Sequence, residues 1–130
     1  LSRFDQNVKT IAQSVAGTSL TIRVATKSLR VPKLIRRVLD FGAPYKGLMC
    51  YSAREALFLA QQGFDDLMIA YPTVDSADLA ALTQLHEQNK LVTLVVDDIV
   101  HLEKLSSAIG SKTSRPFRVL LELDLSLRLG

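Results

Sequence analysis

Apolar positions along this chain switch repeatedly between a helical and a strand-like period. Phe4, Val8, Ile11 and Val15 form one helical stripe. Gly17 is placed to end that helix as a C-cap. Residues 20–26 then alternate as a strand. Val31, Leu34, Ile35, Val38 and Leu39 define an amphipathic helix, with Pro32 in its first turn and Gly42 closing it. A short strand is expected over 47–51. Ser52 caps the following helix, with Glu55 completing a capping box, and Gly63 ends it. Residues 67–71 form a strand stopped by Pro72. Asp75 or Ser76 caps a helix carrying Leu79, Leu82 and Leu85. Residues 91–96 are nearly all apolar, as in a strand buried on both faces. Asp97 or Asp98 caps a helix with Ile99, Leu102, Leu105 and Ile109, and 117–125 is the last strand.

The pattern therefore reads as one helix, four β-α units and a final strand. Strands alternating with helices predict an α/β fold with a parallel sheet and helical crossovers. No linker or low-complexity tract divides the chain. A closed eight-stranded barrel needs about 250 residues, and five strands cannot close one. The sheet is thus either open and doubly wound, or an arc of a (β/α) TIM-type barrel. No G-x-G-x-x-G follows the first strand and no G-x-x-x-x-G-K-[ST] occurs, which weakens the nucleotide-binding versions of the open sheet.

Composition narrows the partners. With 130 residues, 48% apolar and 22% charged, the chain can bury one core. A net charge of +3 is spread thinly, with Lys33, Arg36 and Arg37 the one small cluster. No basic stripe with interleaved aromatics argues for nucleic acid. The single cysteine, Cys50, rules out an internal disulfide framework and suits a cytoplasmic setting. No apolar run reaches the roughly 20 residues of a membrane span, and no signal peptide is visible. The chain opens on Leu1 rather than Met, so its natural start is expected upstream.

Candidate chemistry comes from strand parity. On the first strand Leu20, Ile22, Val24 and Thr26 share the face expected under helices; Thr21, Arg23, Ala25 and Lys27 share the other. On the last strand Val119, Leu121, Leu123 and Leu125 oppose Arg118, Leu120, Glu122 and Asp124. In a barrel the charged faces point inward, with Lys27 at the C-terminal end where active sites sit. Two readings stay open. Arg23 and Lys27 form ion pairs with Glu122 and Asp124 inside the barrel, or Lys27 is a reactive amine. Cys50 reads as a buried strand residue, and Tyr71 either lines a pocket or packs in the core. His86 and His101 read as surface or packing residues without metal-ligand spacing, and Asp65 and Asp66 as turn and cap residues.

The stretch "RVATKS" resembles the lysine strand of the alanine racemase-like barrel, the type III fold of pyridoxal-phosphate enzymes. More narrowly it is similar to the D-threonine aldolase and D-serine dehydratase branch, with its R-P-H-x-K-T-H-K motif. Arg23 and Lys27 match the arginine and the cofactor lysine. The segment "GLMCYSAREALFLAQQGFDDLMIAYP" resembles that branch through Gly47, Cys50, Glu55, Ala56, Leu59, Ala60, Gly63, Asp65, Asp66, Ala70, Tyr71 and Pro72. "LLELDLSLRLG" looks like its later V-E-V-D-x-G-x-x-R-x-G strand. Ala25 and Leu29 stand where the motif has histidines, Ser28 replaces its threonine, and Arg30 its second lysine. Ser126 replaces a glycine, and the segment before Arg128 is one residue short. These departures point to a divergent subgroup.

The resemblance implies that residues 1–130 are the N-terminal part of a pyridoxal-phosphate-binding barrel. The remaining strands and a second β domain would lie outside the chain. It implies a lyase acting on a D- or β-hydroxy-amino acid. Lys27 would be its catalytic Schiff-base lysine, and Arg23, Tyr71, Asp124 and Arg128 would accompany it around the cofactor. Pyridoxal phosphate needs such an amine, and a nearby cation such as Arg23 would help free it. A divalent metal is implied too, with ligands outside this chain. A homodimer is expected for the full-length form. The alternatives are an amino-acid racemase on the same barrel and a non-catalytic pyridoxal-phosphate carrier or regulator.

Overall fold

The computed structural model describes residues 2–110 and 115–125. The elements run α1 (Ser2–Gln13), β1 (Ile22–Ala25), α2 (Pro32–Leu39), β2 (Tyr45–Cys50) and α3 (Ala53–Gln61). They continue with β3 (Leu67–Ile69), α4 (Ser76–Glu87), β4 (Val92–Val96), α5 (Ile99–Ile109) and β5 (Arg118–Leu121). All five strands are parallel and lie in the order β1-β2-β3-β4-β5.

That order decides between the two architectures. A doubly wound sheet reverses direction at a switch point. Here every crossover advances one strand the same way. Right-handed crossovers then put every connecting helix on one side. The fold is a partial β/α barrel, an arc of five parallel strands.

Register separates the two faces. Val24, Leu48, Leu67 and Val92 form one row across the sheet, and Cys50, Ile69 and Leu94 the next. These residues are buried with Ile35 and Val38 of α2, Ala56 and Leu59 of α3, Leu79, Leu82 and Leu85 of α4, and Leu105 and Ile109 of α5. Burying each large aliphatic side chain stabilises by about 1.5–3 kcal/mol. The opposite row runs Ala25, Met49, Met68, Thr93 and Arg118 across all five strands. This inner face would line a barrel lumen.

Local chemistry explains the boundaries. The α1 helix ends at Gln13 and unwinds through tight turns, with Ser14, Val15, Ala16 and Thr18 N–H bonded to carbonyls three residues back. Gly17 follows at φ +78°. Asp75 caps α4 by accepting the Ala77 and Asp78 N–H groups, both at 3.0 Å, and Asp98 caps α5 through the Val100 N–H at 2.8 Å. Strand β2 begins at Tyr45, two residues earlier than the alternation suggests. A bulge lies inside it: two steps from Ile22 to Val24 face three from Tyr45 to Leu48. Gly47 occupies the bulge at φ +71°, a conformation that glycine adopts freely. Strand β1 stops at Ala25, so Lys27 sits in the turn just beyond it.

Candidate functional site

At the C-terminal rim, Lys27 projects from the turn that follows β1. The Thr26 N–H still reaches the Met49 carbonyl at 3.0 Å, extending the ladder one residue past the strand. The Ser28 and Leu29 N–H groups fold back onto the Ala25 carbonyl at 3.1 and 3.3 Å. Arg30 Nε donates to the Lys27 carbonyl at 3.2 Å. The lysine backbone is thus held on both sides while its side chain stays exposed.

Lys27 Nζ lies 3.2 Å from the Tyr71 hydroxyl and 5.7 Å from the centre of its ring. A phenol oxygen accepts from an ammonium, and a phenol O–H donates to a free amine, so the contact suits either protonation state. Tyr71 is supported by Tyr51, whose ring centre is 5.2 Å away in an edge-to-face arrangement. Both tyrosines are about half exposed, at 56% for Tyr51 and 46% for Tyr71. They follow adjacent strands, β2 and β3, which is why they meet on the rim. Among the described residues Lys27 forms no ion pair with a carboxylate.

Arg23, on the same face of β1, is directed elsewhere. Its Nη2 meets Asp66 Oδ1 at 2.7 Å, and its Nη1 donates to the Asp66 carbonyl at 2.9 Å. The guanidinium crosses β2 to do so, over Gly47. A methyl group at Gly47 would run into the guanidinium and Asp66. The pair is mostly buried, with side chains 28% and 15% exposed. The sequence pointed to Glu122 or Asp124 as the partner; the structure supplies Asp66 because the bulge glycine clears the path. Asp66 is held at φ 56°. Its neighbour Asp65 is a turn residue, accepting from the Asp66 and Leu91 N–H groups at 2.8 Å.

Asp124 lies at the other edge of the arc. It lines a cavity of about 370 Å³ with Asp97, Glu122, Leu123 and Leu125. Four strand spacings of about 4.8 Å separate that edge from β1. Arg128 lies outside the described residues. The structure therefore brings Lys27 and Tyr71 together, commits Arg23 to Asp66, and leaves Asp124 on the far rim. No group of three or more His, Cys, Asp or Glu that could hold a metal occurs among the described residues. No described helix is long and apolar enough to cross a membrane.

Beneath the rim runs a buried polar link that the sequence did not reveal. Thr26, 1% exposed, donates its hydroxyl to Glu55 Oε2 at 2.6 Å. The same oxygen accepts the Tyr51 N–H at 2.7 Å. The Met49 carbonyl lies 3.2 Å from the Thr26 hydroxyl, but one proton serves one short bond, and the carboxylate takes it. Glu55 N–H donates to Ser52 Oγ at 3.2 Å, as a capping box requires. Its carboxylate reaches one residue further back than the standard box, to Tyr51 rather than Ser52. Cys50 is fully buried next to this link, as its place on β2 suggested. Burial, and then the Glu55 carboxylate, push its thiol up to about 12. His86 is also buried, and packs between Arg115 and Phe117.

Comparison with known proteins settles the family. The model for "Alanine racemase, N-terminal domain" matches residues 1–130. The chain belongs to that family. A D-threonine aldolase from Arthrobacter sp is 28% identical over 124 residues, covering 95% of this chain and 32% of that protein. The crystal structure of D-threonine aldolase from Filomicrobium marinum matches with a TM-score of 0.85 and 26% identity, over 97% of this chain and 33% of that one. The chain thus spans about a third of the length of these relatives. Both carry the name of the branch that the middle sequence block resembles.

Proposed function

We propose that residues 1–130 supply the lysine-bearing part of a pyridoxal-phosphate-dependent lyase acting on a D- or β-hydroxy-amino acid, with Lys27 as the Schiff-base lysine. One observation carries this reading. Lys27 places an exposed amine at the barrel rim, hydrogen-bonded to a phenol and without a carboxylate partner among the described residues. A structural lysine on an inner face would be expected to hold a countercharge.

The residues present fit the cofactor's aldehyde end. The amine is accessible, the turn backbone around it is fixed, and the two tyrosines offer flat walls for a planar ring. When bound, pyridoxal phosphate would serve as electron sink for bond cleavage at Cα. Lys27 would anchor it, and Tyr71 would hold the amine's direction through either protonation state. Asp124 would contribute from the opposite edge of the arc and Arg23 from below as the partner of Asp66, with Arg128 the further residue that the resemblance implies. The phosphate site, any divalent metal and its ligands, and a dimer interface belong to the full-length protein in this reading.

The products decide among reactions. Full-length protein with pyridoxal phosphate and a divalent metal is incubated with D-threonine and with β-hydroxy-D-amino acids of other side chains. Aldol cleavage breaks Cα–Cβ, turns the β-hydroxyl carbon into an aldehyde and leaves glycine after Cα takes a proton. Release of glycine and aldehyde in equal amounts is the expected result. A 2-oxo acid with ammonia would make it a dehydratase, still a lyase. Inversion at Cα without cleavage would replace the lyase by a racemase. Cofactor binding without turnover of any of these substrates would replace it by a carrier.

A further inference from the structure

We infer that Glu55 is a positioning residue for the Lys27 amine. This rests on Lys27 carrying the cofactor, as proposed above, and adds what holds it in place. Two routes lead from Glu55 to Nζ, and both start at the same carboxylate oxygen. The first runs through the chain: Oε2 accepts the Thr26 hydroxyl at 2.6 Å, and Thr26 precedes Lys27. The second runs through the rim: Oε2 accepts the Tyr51 N–H at 2.7 Å, the Tyr51 ring supports Tyr71 at 5.2 Å, and the Tyr71 hydroxyl meets Nζ at 3.2 Å.

The anchor is stiff where the amine is not. Lys27 has four rotatable side-chain bonds and lies in a turn beyond the last strand residue. Ladder hydrogen bonds alone fix β1 only as far as Thr26. Thr26 is fully packed, and Glu55 stands in the first turn of α3, where the helix dipole favours a carboxylate. One partly buried group thus sets both the origin of the lysine side chain and the position of the phenol that receives its end. A capping residue needs only its own helix as partner. The bond to Thr26, one residue past β1 and 29 positions away in the chain, has no capping purpose.

The test uses the full-length protein with pyridoxal phosphate and compares Glu55→Ala, Glu55→Gln and Thr26→Val. Glu55→Ala is expected to lower kcat about 10- to 100-fold, the scale of small misplacement of reacting groups, with KM little changed. The pH at which the cofactor's lysine-linked absorbance titrates should move, because the amine loses its fixed relation to the Tyr71 hydroxyl. In the cofactor-free protein, amide exchange over residues 26–28 should quicken while β3 and β4 stay protected. Glu55→Gln keeps an oxygen that can accept both bonds and should retain most of kcat. Thr26→Val removes one route and should show a smaller effect in the same direction.

A folded Glu55→Ala protein with unchanged kcat and unchanged titration would overturn the inference. So would equal impairment of Glu55→Gln and Glu55→Ala, which would assign the effect to charge. Should Glu55→Ala fail to fold, Thr26→Val decides, and wild-type kcat and titration in that variant would overturn it. Borohydride labelling of wild-type protein separates the two levels. Label on Lys27 with silent variants defeats the role of Glu55 alone; label on another lysine defeats both readings.

Discussion

Arg23 and Lys27 stand four residues apart, one on β1 and the other in the turn just beyond it, and their surroundings differ in almost every respect. Arg23 lies near the N-terminal end of the sheet. Both of its terminal nitrogens are engaged by Asp66, and a bulge glycine makes room for it. Lys27 lies at the C-terminal end, exposed, with a phenol as its polar contact. A partly buried cation with a bidentate partner is fixed by its fold. An exposed amine whose partner is a phenol is not held by a countercharge. The same parity in the sequence therefore conceals two settings, a braced guanidinium at one end and an exposed amine at the other.

The largest effect that could break this comparison is on activity. Lys27→Ala in the full-length protein is expected to reduce turnover on the order of 10³-fold or more, the scale of losing a covalent-catalysis residue. Its thermal midpoint should stay put, since exposed positions cost within about 0.5 kcal/mol. A large drop in stability would mean that Lys27 is a brace as well.

Arg23→Ala should do the reverse. Leaving the Asp66 carboxylate unpaired at 15% exposure costs about 1–3 kcal/mol, read as a shift in urea midpoint. A double-mutant cycle with Asp66→Ala should give a coupling of about 0.5–3 kcal/mol. Gly47→Ala disturbs the same brace from the partner strand, through backbone strain of about 1–3 kcal/mol and a clash with the guanidinium. Wild-type stability in Arg23→Ala would erase the distinction between the two ends.

The legibility of these features in the sequence follows their range. The helical and strand periods placed the ten described elements, because one-sided burial imposes its period on the helices, while β4, buried at every residue, stood out as a continuous apolar run. Alternation is a local property, so parity was readable for Arg23, which shares the Ala25 face of β1; Lys27, read as part of the same strand, lies in the turn just beyond it. Partners were less accessible. Asp66 was read as a turn residue because its bond to Arg23 spans 43 positions and depends on the bulge at Gly47. Glu55 was read as half of a capping box; its N–H makes the box bond to Ser52, but its carboxylate goes to the Tyr51 N–H, and nothing local signals its bond to Thr26. Tyr51 and Tyr71 could have been paired in advance: each follows its strand closely, and β2 and β3 are neighbours. Strand β5 came out shorter than its alternation, at Arg118–Leu121, and its residues are exposed.

A smaller effect sharpens the picture between the two ends. Cys50 is sealed on β2 with its thiol raised from 9.0 to about 12. The folded state then keeps a proton that the unfolded state loses above about pH 9. Its contribution to stability is complete below that pH and declines as pH rises toward 12. Cys50→Ala should flatten the alkaline fall of the urea midpoint. Alkylation of Cys50 at neutral pH should proceed only through opening of the sheet. Rapid alkylation of the folded protein would contradict the burial that supports the rim.

The central claim is that the Lys27 amine holds the cofactor. Full-length protein is mixed with pyridoxal phosphate, reduced with borohydride and digested, and the reduced pyridoxyl group is located by mass. The account predicts the label on the peptide carrying Lys27 and its loss in Lys27→Ala. A label on a different lysine, with Lys27 unmodified, would contradict it.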